Sequence, residues 1–120
     1  MAHTILIIDS DEMALLVRKM VFEGASYVVV TASNATQALQ VFATHLVDVV
    51  ITDYMLLKDS TVEIGAELRQ FSPKLPVLTL SGGVLPSDEV EPPDYFLHKL
   101  DGPVALVAKV QSMLHATSQS

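Results

Sequence analysis

The chain has 120 residues, half of them hydrophobic and 18% charged, which is enough for one globular domain with a core and too little for two. A formal net charge of -7 argues against a nucleic-acid backbone as a direct partner and suits the binding of a cation. The absence of cysteine excludes disulfides and thiolate sites, and the lack of a basic N-terminal region or a long apolar run predicts a cytoplasmic protein without a signal peptide or a membrane partner.

The first two predicted elements are a buried strand and a helix. Residues 4–8 form a continuous apolar run that ends at Asp9, as expected of a strand covered on both faces. Apolar residues then recur at helical spacing up to Gly24, and Ser10 or Asp11 can cap the helix that they predict. The apolar face predicted by this spacing is Met13, Leu16, Val17, Met20 and Val21.

The middle of the chain repeats this alternation and contains the most apolar strand. Residues 27–31 predict a second strand, and Ser33 or Asn34 can cap a second helix. The apolar stripe of that helix is Ala35, Ala38, Leu39 and Phe42. Residues 47–53 are rich in β-branched residues and end in the carboxylate of Asp53, which predicts the central strand of a parallel sheet.

A third helix and a fourth strand follow. Ser60 can cap the helix. Its predicted apolar face is Ile64, Leu68 and Phe71. Residues 77–80 predict the fourth strand, which ends at Ser81 and two glycines.

The connection after the fourth strand interrupts the pattern. Residues 84–93 contain three prolines and leave room for one helical turn at most. Residues 95–98 predict a short fifth strand that ends at Lys99. Asp101 can cap the last helix, in which Pro103 is tolerated in the first turn. The predicted stripe of this helix is Val107, Val110 and Leu114.

This alternation of strand and helix places the chain in the α/β class. It predicts a five-stranded, doubly wound parallel sheet with right-handed crossovers and helices on both faces, in which the helix after the fourth strand is short or missing. Residues 1–120 are predicted to form one domain, in which residues 117–120 are a tail or the start of a linker.

Polar side chains stand at the ends of four of the five predicted strands. Asp9 and Ser10 follow the first strand, and Asp53 ends the third. Ser81 follows the fourth strand and Lys99 the fifth. In a doubly wound sheet these ends meet at one crevice. Two carboxylates there can bind Mg²⁺ or attack phosphorus, and a lysine and a hydroxyl can bind phosphoryl oxygens.

Four motifs in this order resemble the receiver domain of two-component response regulators, over essentially the whole chain. They are residues 5–12, with the first strand and its acidic end; residues 49–56, with the central strand; residues 76–82, with the fourth strand; and residues 95–99, with the last strand and its lysine. The resemblance implies a flavodoxin-like sheet with the strand order 2-1-3-4-5.

The resemblance also implies what these residues do. Asp53 maps to the phosphoacceptor, Ser81 to the switch hydroxyl and Lys99 to the lysine of the family. Mg²⁺ is then held by Asp9, Asp53 and the main-chain carbonyl of Met55. Such a domain is not an enzyme: it takes its phosphoryl group from a sensor histidine kinase or a phosphotransfer protein and switches an effector domain or another protein partner.

The sequence departs from the family pattern at several positions. Ser10 stands where a second acidic residue is usual, so its hydroxyl can serve Mg²⁺ only weakly or through water, and we expect weak metal binding. Phe96 stands at the position of the switch aromatic, often tyrosine, and has no hydroxyl. Leu57 and Thr61 replace the usual proline and glycine after the acceptor, and Leu100 replaces the proline after the lysine.

Other functions stay open from the sequence. The departures favour a pseudo-receiver, a protein-binding module that no longer needs phosphate. Asp9 and Asp11 after a strand also resemble the Asp-x-Asp pair of haloacid-dehalogenase-type phosphatases. That family needs a further acidic pair beyond the lysine, where this chain has only a helix. A flavin is disfavoured because the acidic first loop would repel its phosphate.

Overall fold

The computed structural model describes residues 2–53, 64–82 and 94–118. The strands are β1 (Thr4–Ile8), β2 (Val28–Ala32), β3 (Val49–Asp53), β4 (Val77–Ser81) and β5 (Asp94–His98). The helices in these residues are α1 (Glu12–Gly24), α2 (Ala35–Thr44), α3 (Ile64–Arg69) and α4 (Gly102–Ser118), with a 3₁₀ turn at Lys99–Asp101 before α4. Each predicted strand is present within two residues of its predicted bounds. None of the helices described has the length and hydrophobicity needed to cross a membrane.

The five strands form one parallel sheet in the order β2-β1-β3-β4-β5. This confirms the predicted fold class and strand order. β2 lies on one side of β1, and β3, β4 and β5 follow on the other side. This reversal of direction opens a crevice at the carboxyl ends of β1 and β3. The predicted short or missing helix within residues 84–93 lies outside the described residues, as does the predicted cap Ser60.

Strand alternation divides the core between the two faces of the sheet. On one face the strands pack against α1 and α4, and on the other they pack against α2 and α3. β3 and β4 are buried along their whole length, as continuous apolar runs predict. The central-strand residues that face α1 and α4 are Ile5, Ile7, Val49, Ile51, Leu78 and Leu80.

The face that α1 turns to the sheet differs from the predicted one. Its buried residues are Leu15 and Phe22, while most of the predicted stripe is exposed. Four members of that stripe are 51% to 66% exposed: Met13, Leu16, Val17 and Met20. The prediction was wrong because the helix is apolar on most sides, so helical spacing fits more than one face. The face that the structure buries includes Arg18 and Lys19, and these two charges made it look like the solvent-facing side in the sequence.

A side-chain cap fixes where α1 begins. Of the two predicted candidates, Asp11 is the cap: its Oδ1 accepts hydrogen bonds from the main-chain N–H groups of Met13 and Ala14. Ser10 is exposed and precedes the cap, so it does not start the helix. Asn34 caps α2 in the same way.

α3 buries less than its sequence predicts. Ile64 and Leu68 are buried, as predicted. The helix ends at Arg69, so the third predicted member of the stripe, Phe71, leaves the helical register and is 72% exposed. The prediction for Phe71 was wrong because helical spacing alone does not show where a helix stops.

α4 follows β5 through a tight turn. The 3₁₀ turn ends at Asp101, the predicted cap, and Gly102 takes a φ of 87°, which glycine adopts without steric strain. The core residues of α4 are Leu106, Val110 and Met113. Val107 and Leu114 of the predicted stripe are only partly buried against this core.

Candidate functional site

Two buried carboxylates lie side by side at the carboxyl edge of the sheet. Asp53 is the last residue of β3, and Asp9 directly follows β1. The two strands pair with Ile8 opposite Thr52, which puts Asp9 and Asp53 at the same level on neighbouring strands. Each carboxylate residue is only 4% exposed. The sheet thus brings together two of the residues that the sequence placed at strand ends.

Strand alternation also puts both carboxylates under the same helical layer. Asp9 and Asp53 stand two residues beyond Ile7 and Ile51, which pack in the cluster formed with α1 and α4. A cation on α1, or in the turn before α4, can therefore reach this edge of the sheet. Each of these two regions supplies one.

Lys99, in the turn before α4, forms an ion pair with Asp53 through its Nζ and the Oδ2 of the carboxylate. Ser81 pairs with His98, so the chain delivers Lys99 just beyond the level at which β4 ends. The lysine stem then passes close to Gly82, where a Cβ would lie 3.7 Å from the Cδ of Lys99. Lys99 follows β5, and its side chain reaches Asp53 on β3, two strands away in the sheet.

Arg18, on α1, forms the corresponding ion pair with Asp9. Its Nη1 lies 2.6 Å from Oδ2 of Asp9, and the two side chains are 15% and 6% exposed. The other carboxylate oxygen, Oδ1, accepts a hydrogen bond of 2.9 Å from the main-chain N–H of Asp11. Arg18 was not among the site residues predicted from the sequence. The available signal was a cation within an otherwise apolar stretch of the first helix.

The hydroxyl and aromatic candidates differ in their burial. Ser81 is buried, and because Leu80 pairs with Asp53 it lies one residue beyond the level of that carboxylate on the next strand. Ser10 is exposed at the turn that precedes α1. Phe96 is partly buried on β5. Of the two serines singled out by the sequence, Ser81 is thus the one enclosed near Asp53.

Part of the predicted site lies outside the described residues, namely Met55, Leu57 and Thr61. Leu100 is described, and its side chain is exposed in the 3₁₀ turn. Across residues 2–53, 64–82 and 94–118, no group of three or more histidine, aspartate or glutamate side chains comes together that could hold a metal ion. The described part of the site therefore has a pair of buried carboxylates, Asp9 and Asp53, and no larger cluster.

Among the described residues, Asp9 and Asp53 each form an ion pair with one cation. A buried carboxylate beside an ammonium group can attack an electrophilic phosphorus while the ammonium group binds the oxygens of that phosphorus. Two adjacent carboxylates also offer the hard oxygen ligands that Mg²⁺ prefers. The arrangement supports phosphoryl chemistry at Asp53 and metal binding at Asp9 and Asp53.

Comparisons with known proteins point to one protein family. The sequence profile of the response regulator receiver domain family matches residues 5–91. The alkaline phosphatase synthesis transcriptional regulatory protein PhoP of Bacillus subtilis (strain 168) is 32% identical over 81 residues. That match covers 68% of this chain and 34% of the regulator, so it spans about a third of that relative.

Solved structures share the whole fold. The signal receiver domain of an HD domain-containing protein from Pseudomonas fluorescens Pf-5 superposes with a TM-score of 0.84 at 25% identity and covers 100% of both chains. The response regulator protein TrrA from Thermotoga maritima, in complex with Mg²⁺-BeF, superposes with a TM-score of 0.79 at 23% identity. That match covers 92% of this chain and 98% of TrrA.

Proposed function

This chain belongs to the family of response regulator receiver domains, and on that premise we propose that it takes a phosphoryl group onto Asp53. A receiver is a signalling target and not an enzyme, so the phosphatase alternative is set aside. Membership implies a kinase or a phosphotransfer protein as partner, and we propose a phosphohistidine of such a protein as the donor. The observation that carries the proposal is the ion pair between the buried Asp53 and Lys99 at the edge of the central strand.

The proposed transfer forms one bond and breaks another. A carboxylate oxygen of Asp53 attacks the phosphorus, and the bond between phosphorus and the imidazole nitrogen of the donor breaks. The imidazole leaves with the electron pair of that bond. Lys99 stays beside the new acyl phosphate and offsets the charge of its oxygens. Because Lys99 already contacts Asp53, its cation is in position before the phosphoryl group arrives.

The proposed switch uses Ser81, whose hydroxyl lies one residue beyond the level of Asp53 on β4 and can donate a hydrogen bond to a phosphoryl oxygen. Phe96 on β5 cannot complete that switch as a tyrosine would, because it has no hydroxyl. We therefore propose that the signal passes from Ser81 to a protein partner, or to an effector domain of a longer regulator, through packing and not through a tyrosine hydrogen bond.

The described residues suit Mg²⁺, which receiver domains generally bind. This ion prefers oxygen ligands and keeps several waters, so few protein ligands suffice. Asp9 and Asp53 supply two carboxylates, and the family resemblance adds the main-chain carbonyl of Met55. Bound there, the ion would neutralise charge on the phosphoryl oxygens. The Mg²⁺-BeF complex of the similar receiver TrrA supports this choice of metal.

Replacing Ser10 with Asp is expected to tighten Mg²⁺ binding by about fivefold and to speed phosphorylation. The change adds a carboxylate next to Asp9, and one more negative charge near the ion is worth on the order of 1 kcal/mol even when solvent screens it. An NMR titration of the amides around Asp53 measures both dissociation constants. Ser112→Asp, on the exposed side of α4, controls for the change in net charge. Equal constants in wild type and Ser10→Asp would mean that another group replaces the missing carboxylate.

The most direct test of the proposed acceptor uses beryllofluoride, which mimics a phosphoryl group on a carboxylate. With Mg²⁺ present, it is expected to shift the amide resonances of Asp53, Ser81 and Lys99 in the wild-type chain. Shifts confined to the region of Asp9 and Asp11 would contradict Asp53 as the acceptor. They would favour the chemistry of the Asp-x-Asp phosphatases instead.

A pseudo-receiver is the second candidate function, and two observations favour it. In a phosphorylated receiver the carboxylate of Asp9 would bind the metal. In this chain Asp9 already forms an ion pair with Arg18, so a cation is present there without any phosphoryl group. The exposed apolar residues of α1 are the kind of surface that a phosphate-independent protein partner would cover. This candidate predicts no response to beryllofluoride at any Mg²⁺ concentration.

A further inference from the structure

The guanidinium group of Arg18 lies on the carboxylate that the proposed metal would need. The distance of 2.6 Å between Nη1 and Oδ2 of Asp9 is that of a charge-assisted hydrogen bond, which is roughly twice as strong as a neutral one. At 15% and 6% exposure, solvent screens this pair far less than it screens a surface pair. Because Asp11 donates to Oδ1, both oxygens of Asp9 have a donor before any metal arrives.

We propose that Arg18 is a tethered cation that competes with Mg²⁺ for Asp9 and so sets the metal concentration that the site requires. The inference deepens the proposed function and rests on it for the identity of the metal. Arg18 is a specificity-determining residue in this sense: it acts on which cation occupies Asp9, and it does not itself touch the reacting carboxylate of Asp53 in the structure described.

The charges of the crevice make this competition effective. Within the described part of the crevice, the charges of Arg18 and Lys99 balance those of Asp9 and Asp53, and Ser10 adds no negative charge. If a divalent ion bound beside both cations, this part of the site would be strongly positive. Binding of the ion is therefore favourable only when Arg18 releases Asp9. The attachment of Arg18 to α1 keeps its guanidinium group at a high effective concentration beside Asp9.

The fold holds Arg18 in position for this role. Leu15, Arg18 and Phe22 follow one another at spacings of three and four along α1, and Leu15 and Phe22 anchor that face in the core. Asp11 caps the same helix and donates its N–H to Asp9, so the helix start and the carboxylate are fixed to each other. The backbone does not have to move when Arg18 releases Asp9; a change of its side-chain rotamers is sufficient.

The test is a Mg²⁺ titration of the whole chain, without any phosphodonor, followed by NMR of the amides around Asp9 and Asp53. In Arg18→Met and Arg18→Gln the dissociation constant of Mg²⁺ is expected to fall by about tenfold, and by at least threefold. The reason is that Mg²⁺ no longer has to break the hydrogen bond from Arg18 to the charged Asp9. Lys19→Gln is the matched control. It removes the same charge from the next position of α1, and its dissociation constant is expected to stay within threefold of wild type.

A fall of less than threefold in the Arg18 variants overturns the inference, and so does an equal fall in Lys19→Gln. If the variants unfold at the titration temperature, melting curves replace the titration: Mg²⁺ must raise the Tm of the Arg18 variants more than that of wild type. An equal rise also overturns the inference. The proposed function fails on a different result, namely that Mg²⁺ binds but Asp53 does not respond to beryllofluoride.

Discussion

Replacing Asp53 with Asn is expected to abolish covalent phosphorylation completely. Acetyl phosphate with Mg²⁺ should add one phosphoryl group to the wild-type chain, and intact mass measurement should find none on Asp53→Asn. The amide has nearly the shape of the carboxylate but is a poor nucleophile, since it lacks the negative charge that attacks phosphorus. The fold should survive, because the side chain of Lys99, the cation left without its carboxylate, is 34% exposed and can turn to solvent.

Asp101→Asn is the matched control for this loss. Asp101 is an exposed carboxylate two residues from Lys99, so the exchange removes the same charge near the site without touching β3. Its phosphorylation should equal that of wild type. A phosphoryl group that persists on Asp53→Asn would contradict the proposed acceptor, and its appearance at Asp9 would favour the Asp-x-Asp chemistry instead.

The strands were predictable because their burial leaves a strong local signal. A strand covered on both faces is largely apolar, and residues 4–8 and 77–80 are short runs that are apolar apart from one threonine each. The same signal places Asp9 and Asp53 at strand ends, and parallel pairing then makes them neighbours. For this reason the carboxylate pair of the candidate site could be predicted without any knowledge of side-chain contacts.

The helices were less predictable because the face that they bury depends on distant residues. α1 is apolar on several sides, and its spacing did not distinguish the side of Leu16 from the side of Leu15. The structure buries the side that includes Arg18, since that charge is satisfied by Asp9 at the end of β1. The sequence of α1 does not show that Arg18 pairs with a carboxylate outside the helix. The missed residue and the wrong face therefore have the same cause.

Leu15→Ala is expected to lower the free energy of unfolding by about 2–4 kcal/mol, while Leu16→Ala lowers it by less than about 1 kcal/mol. Leu15 is 8% exposed and packs in the cluster between the sheet, α1 and α4, whereas Leu16 is 51% exposed. Truncation at Leu15 removes buried apolar surface and leaves a cavity, but truncation at Leu16 removes surface that is already half in water.

The two variants control for each other. Both exchange leucine for alanine at adjacent positions inside α1, so the change in helix propensity is the same and cancels in the comparison. Urea denaturation followed by circular dichroism gives both free energies. If α1 instead buried the face that its spacing first predicted, Leu16→Ala would be the more costly exchange. That result would also move Arg18 away from Asp9, because residues 15 and 18 lie on the same face of the helix, and it would remove the structural basis for competition between Arg18 and the metal.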